Sequence, residues 1–141
     1  MIRVQTDDFN PGFELEQLRS ENHGLAGAMV SFSGLVRDLN EGDSITQLTL
    51  EHYPGMTEKA LTKIEAQANK QWQLTATLII HRVGPLQPND NIVLVVAASM
   101  HRKQAFQACE FMIDTLKTNA PFWKKETLTE GTRWVEPGTS E

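Results

Sequence analysis

The stretch from Leu116 to Glu126 reads LKTNAPFWKKE, and its residues close a helix, break it and open a strand. Lys117 falls in the last helical turn, where a cation complements exposed carbonyls, and Pro121 forbids continuation. The aromatic pair Phe122 and Trp123 then leads into Lys124 and Lys125. Two lysines seven residues apart therefore flank a rigid, apolar bend. Such a bend can bring Lys117 and Lys124 together, and neighbouring ammonium groups repel unless an anion lies between them. The pattern marks a candidate anion-binding or catalytic lysine site.

Upstream, the helix that this stretch ends is predicted from the stripe Ala105, Phe106, Cys109, Met112, Ile113 and Leu116, with Ser99 as its cap. His101 and Arg102 fall at its start, where exposed amides favour an anion. Leu74 to Val83 and Asn91 to Ser99 read as central apolar strands joined by a turn, GPLQPND. Met56, Ala60, Leu61, Ile64, Ala68 and Trp72 predict a second long helix behind the break at Pro54 and Gly55. Gly27 to Val36 reads as a strand with Arg37 at its exit and Gly34 as a place of close approach. LNEGDS is a polar turn before a strand from Ile45 to Tyr53. Ile2 to Gln5 alternates as a strand, and Asn10 with Pro11 caps a short helix to about Ser20.

Downstream, Trp123 to Thr127 and Thr132 to Val135 pair as a hairpin through LTEG, and Glu136 to Glu141 forms a loose tail. With no repeat or linker, the interleaved elements predict one α+β domain over residues 1–141, with a mixed, largely antiparallel sheet and two main helices.

A chain of 141 residues can bury a core without staples. Its net charge of −5 argues against general nucleic-acid affinity, which needs a basic face, so any cationic site must be local. A single cysteine, Cys109, excludes an internal disulfide or a C-x-x-C pair, and a reducing cytoplasm is the natural compartment. MIRVQTDDF lacks the basic and apolar regions of a leader, and no apolar run is long enough to span a bilayer, so no membrane contact is expected.

His23, His52, His81 and His101 show no ligand spacing, and neither a metal nor a cofactor is predicted. His52 could serve as a general base, although a packed histidine is the commoner outcome after a strand. Cys109 lies on the buried stripe, where a cysteine is a small inert hydrophobe. A lysine at a helix end is usually a snorkelling surface residue. The company of Lys124, Lys125 and two aromatics beyond a forced bend weighs against that for Lys117.

Five stretches carry a family resemblance: FSGLVRD at Phe32 to Asp38, LEHYPGMTEKAL at Leu50 to Leu61, IIHRVG at Ile79 to Gly84, MHRKQAF at Met100 to Phe106, and LKTNAPFWKKE itself. Through nearly its whole length the chain resembles the large, catalytic subunits of molybdopterin synthases. The resemblance implies an α/β-hammerhead fold and a homodimer at the centre of a heterotetramer. It implies a small ubiquitin-like sulfur carrier at each end, whose C-terminal Gly-Gly thiocarboxylate donates sulfur to cyclic pyranopterin monophosphate. Two transfers would build the dithiolene of molybdopterin.

In that picture Lys117 and Lys124 are the catalytic lysines. Arg37, His101 and Arg102 bind the phosphate and pterin of the substrate, with supply of Arg37 across the dimer one arrangement it allows. The chain departs from relatives in its short acidic end and in Asn119, where an arginine is common. From the residues alone, the rival reading is a non-catalytic anion-binding or scaffolding module using the same basic pocket.

Overall fold

Two apolar runs that alternate between faces organise the molecule, and they are the strands predicted to be central. The computed structural model describes residues 1–40, 43–128 and 131–135. Its elements are β1 (Ile2–Gln5), α1 (Pro11–Glu21), β2 (Ala28–Leu35), β3 (Leu39–Asn40), β4 (Asp43–His52), α2 (Met56–Gln71), β5 (Ala76–Arg82), β6 (Gly84–Leu86), β7 (Asn91–Ser99), α3 (Arg102–Asn119), β8 (Phe122–Leu128) and β9 (Gly131–Val135). The strands form two sheets. The first has the order β1-β5-β7-β2, parallel only between β1 and β5; the second runs β3-β4-β8-β9, with β6 also paired to β4.

Strand alternation divides the first sheet's side chains between two apolar clusters. Leu78, Ile80, Leu94 and Val96 pack with Phe9 and with Leu18 of α1. Ile79, Val93, Val95 and Ala97 pack with Leu61, Ile64 and Ala68 of α2 and with Ala108, Cys109, Met112 and Leu116 of α3. Leu48, Leu50 and Leu86 of the second sheet join this second cluster, so the sheets share a core. Burying a large apolar side chain is worth roughly 1.5–3 kcal/mol, enough for packing to override helix propensity.

The termini of α1 and α2 follow the local chemistry. Asn10 caps α1, its Oδ1 accepting from the Phe13 N–H at 3.1 Å. Gly55 adopts φ +84° at the entry to α2, a left-handed turn that favours glycine, and its N–H donates to the Glu58 carboxylate at 3.0 Å.

Several local expectations are corrected. GPLQPND is not all turn, because Gly84 to Leu86 find partners on β4. Strand β4 begins at Asp43, and Leu39 and Asn40 pair back onto Ser44 and Asp43; Glu41 and Gly42 lie outside the described residues. Ser99 does not cap α3: the cap position belongs to His101, whose side chain makes no capping bond, and the Ser99 hydroxyl donates to the His101 carbonyl. Phe106 and Met56 are exposed, and the buried stripes use Ala108 and Thr57 in their helices. The expected tail from Glu136 lies outside the described residues.

Candidate active site at the helix-strand bend

Helix α3 ends where Pro121 requires it, with Lys117 in its last turn and the Ala120 N–H donating to the Leu116 carbonyl at 3.1 Å. The Phe122 N–H bonds the Ala120 carbonyl at 2.9 Å, which closes the bend around the proline. Strand β8 then runs antiparallel to β4 with Phe122 opposite His52, Lys124 opposite Leu50 and Glu126 opposite Leu48. Opposed residues share a face, and Leu48 and Leu50 are buried, so Phe122, Lys124 and Glu126 face the interior. Lys117 and Lys124 are both half-buried.

The alternate residues of β8 turn outward. Trp123 meets Tyr53 edge to face at 4.5 Å between centroids, and the Lys125 ammonium lies 5.8 Å from the Trp134 ring. Of Lys124 and Lys125, Lys124 is thus the one that strand alternation directs inward.

Between the two sheets sits His81, which is 5% exposed. Its ring stacks on that of Phe122, with centroids 3.7 Å apart and planes inclined by 13°. Its Nδ1 lies 2.8 Å from the Arg82 carbonyl, which can only accept, so Nδ1 carries the proton. Burial lowers the imidazole pKa to about 3; the Arg82 carbonyl opposes this, and the charges of Lys117, Lys124 and His52 reinforce it. His81 is therefore neutral at physiological pH, inside a ring of cationic and titratable groups.

The remaining predicted residues divide between the ends of the first sheet. His81 is opposite Val93, and Val93 is opposite Gly34, three residues before Arg37. That register puts exposed Arg37 at the same end of the sheet as His81, beside Val36, Asp38, Pro88 and Asn89. The close approach expected at Gly34 comes from within the sheet, since a Cβ there would lie 2.7 Å from Val93 Cγ1. His101 and Arg102 are exposed at the opposite end, where β7 gives way to α3. Lys117 follows Arg102 by fifteen positions along α3, roughly 22 Å at the rise of an α-helix. One chain accordingly gathers Lys117 and Lys124, puts Arg37 at their end, and holds His101 and Arg102 away.

Sequence reasoning missed His81 and Glu126. His81 interrupts an inward-facing apolar alternation after Ile79, and Glu126 is a second charged residue after Lys124 on the inward face of β8; a polar residue at such a position is the signal that was available. Glu126 is 1% exposed and accepts from Arg133 Nε at 2.7 Å. Cys109 is buried, its Sγ 3.6 Å from the Val95 carbonyl, and burial pushes its thiol up to about 11. It is no nucleophile at neutral pH. Among the described residues, no group of three His, Cys, Asp or Glu side chains is placed to hold a metal ion.

An α+β scaffold with two half-buried lysines beside a neutral histidine, and with its thiol protonated and buried, presents an arrangement that suits an anion and offers no thiol nucleophile. The model of the MoaE protein family matches residues 4–119, and the chain belongs to that family. The molybdopterin synthase catalytic subunit of Pseudomonas aeruginosa is 54% identical over 140 residues, covering 99% of this chain and 93% of that one. The Escherichia coli subunit of the same description is 55% identical over 140 residues, covering 99% and 92%. Among solved structures, the molybdopterin biosynthesis MoaE protein of Burkholderia ambifaria superposes with a TM-score of 0.85 at 50% identity, over 100% of this chain and 92% of that one.

Proposed function

We propose that the chain is the catalytic subunit of a molybdopterin synthase, which inserts two sulfurs into cyclic pyranopterin monophosphate during molybdenum cofactor biosynthesis. The observation that carries this reading is the placement of half-buried Lys117 and inward-facing Lys124 on either side of the bend, where the charges of both act on His81. Thiocarboxylate, cyclic phosphate and opened phosphate are all anions, and fixed cations in a water-poor cleft stabilise them and the charge that develops between them. Sulfur arrives on the C-terminal Gly-Gly thiocarboxylate of a small ubiquitin-like carrier. The thiocarboxylate sulfur bonds to a carbon of the substrate as that carbon's bond to oxygen breaks and the oxygen leaves, and water then hydrolyses the acyl–sulfur bond, leaving a thiol on the substrate and the carrier as an ordinary carboxylate. The inert Cys109 supports an external sulfur source.

Arg37, His101 and Arg102 bind the phosphate and pterin. The roughly 22 Å between Arg102 and Lys117 exceeds the joint reach of two extended side chains. This favours a homodimer in which one copy's α3 start completes the lysine site of its partner, with a carrier at each end of the resulting heterotetramer. A cytoplasmic location suits the lone thiol, and among the described residues no helix is long and apolar enough to cross a membrane.

The test is to mix the purified protein with thiocarboxylated carrier and cyclic pyranopterin monophosphate. Molybdopterin should form, and carrier lacking its last glycine should bind without giving product. Binding of all components with no product would instead select a non-catalytic anion-binding module.

A further inference from the structure

We propose that His81 is a positioning residue, whose ring, stacked on Phe122 and tethered through Nδ1–H to the Arg82 carbonyl, sets the separation and aim of Lys117 and Lys124. The proposal deepens the sulfur-transfer reading above and rests on it. Phe122 is the first residue of β8, directly after Pro121, and precedes Lys124 by one full alternation of the strand. Whatever holds the Phe122 ring therefore holds Lys124 on one side and the end of α3, with Lys117, on the other.

The anchor itself is immobilised. Arg82 ends β5, and its guanidinium donates to the Thr6 carbonyl at 3.1 Å and the Asn91 carbonyl at 3.2 Å, which ties three segments of the chain together. His81 alternates to the other face, beside Ile79, and carries that rigidity across to the second sheet. The titratable groups that act on it come from three elements: His52 of β4, Lys117 of α3 and Lys124 of β8. An uncharged ring can lie among them without adding to their repulsion, and Nδ1–H supplies the tether that phenylalanine would lack.

The experiment compares His81→Ala, which removes stack and tether, with His81→Phe, which keeps the stack. Misplacement of reacting groups by about 1 Å costs up to 10²-fold, so His81→Ala should lower kcat by about 10–10²-fold, with half-saturation by carrier unchanged. Amide hydrogen exchange should accelerate in the folded His81→Ala protein from Phe122 to Glu126 and not in β1 or α1. His81→Phe should recover the part of both losses that the stack carries and leave the part that the tether carries, and its kcat should keep the wild-type acid limb, because His81 transfers no proton. Wild-type kcat or unchanged local exchange in His81→Ala would overturn the proposal. So would a displaced acid limb in His81→Phe, which would make His81 a proton carrier. A wild-type protein that makes no product overturns the sulfur-transfer reading instead, and the exchange measurement still decides whether His81 braces the bend.

Discussion

The imidazole of His81 and the ring of Phe122 lie nearly parallel, 3.7 Å apart, and so join the end of β5 to the start of β8. Because the imidazole is buried among cations, its protonation is coupled to folding. In the unfolded chain it titrates near 6.5, in the folded protein only near 3. Between those values the unfolded state binds the extra proton, so the stabilisation is complete above about pH 6.5 and falls as pH drops toward 3, by up to about 1.4 kcal/mol per unit. Urea midpoints at pH 7 and pH 4.5 should differ clearly for the wild type and much less for His81→Phe. Both test pH values lie above the range of Asp8, whose carboxyl is held below its ordinary 3.8 by Asn91 and the Phe9 N–H.

Lys117→Ala should reduce sulfur transfer by about 10²–10³-fold, the usual cost of removing a positioned charge donor. Lys117→Arg keeps the charge but does not readily give up a proton, and should be nearly as inactive if Lys117 moves a proton. Single-turnover product formation at saturating carrier measures both. Substantial rescue by arginine would identify Lys117 as a fixed cation.

Cys109→Ser should retain sulfur transfer, because sulfur arrives from outside and the thiol lies in the core. The serine hydroxyl inherits the Val95 carbonyl, and stability should fall by about 1–2 kcal/mol from the altered packing. In the native wild type, iodoacetamide should label Cys109 far more slowly at pH 8 than a free thiol. Rapid labelling, or loss of activity in a well-folded Cys109→Ser protein, would refute the assignment.

Glu126→Ala removes a buried carboxylate from Arg133, whose side chain is 25% exposed, and should cost about 1.5–3 kcal/mol. The double variant Glu126→Ala with Arg133→Ala should cost less than the sum of the single changes, since the pair shares one interaction. Denaturant titration of the four proteins measures the coupling; simple additivity would show that the pair contributes nothing.

The two long helices and the central strands were legible from apolar spacing, α1 from its Asn10 and Pro11 start, and the bend because proline imposes it. The split into two sheets was not, since a strand's period says which face is buried and nothing about which neighbour it joins. Gly84 to Leu86 looked like turn because prolines and glycine dominate it, yet a few residues at the edge of β4 need only partial pairing. That Lys117 and Lys124 lie on either side of the bend was readable from their flanking residues. His81 was not, because what distinguishes it is the ring brought against it from a distant strand. The separation of His101 and Arg102 from Lys117 could be measured in residues, but became a physical distance only once the span between them proved to be one continuous helix.

That span has a genetic consequence. If each site borrows the cations at the start of its partner's α3, the lesions Lys117→Ala and Arg102→Ala inactivate different halves of the same site. Two such alleles, each null when expressed alone, should complement when expressed together, because a mixed pair contains one site built entirely from unaltered residues. Two alleles from the same end of the helix should not.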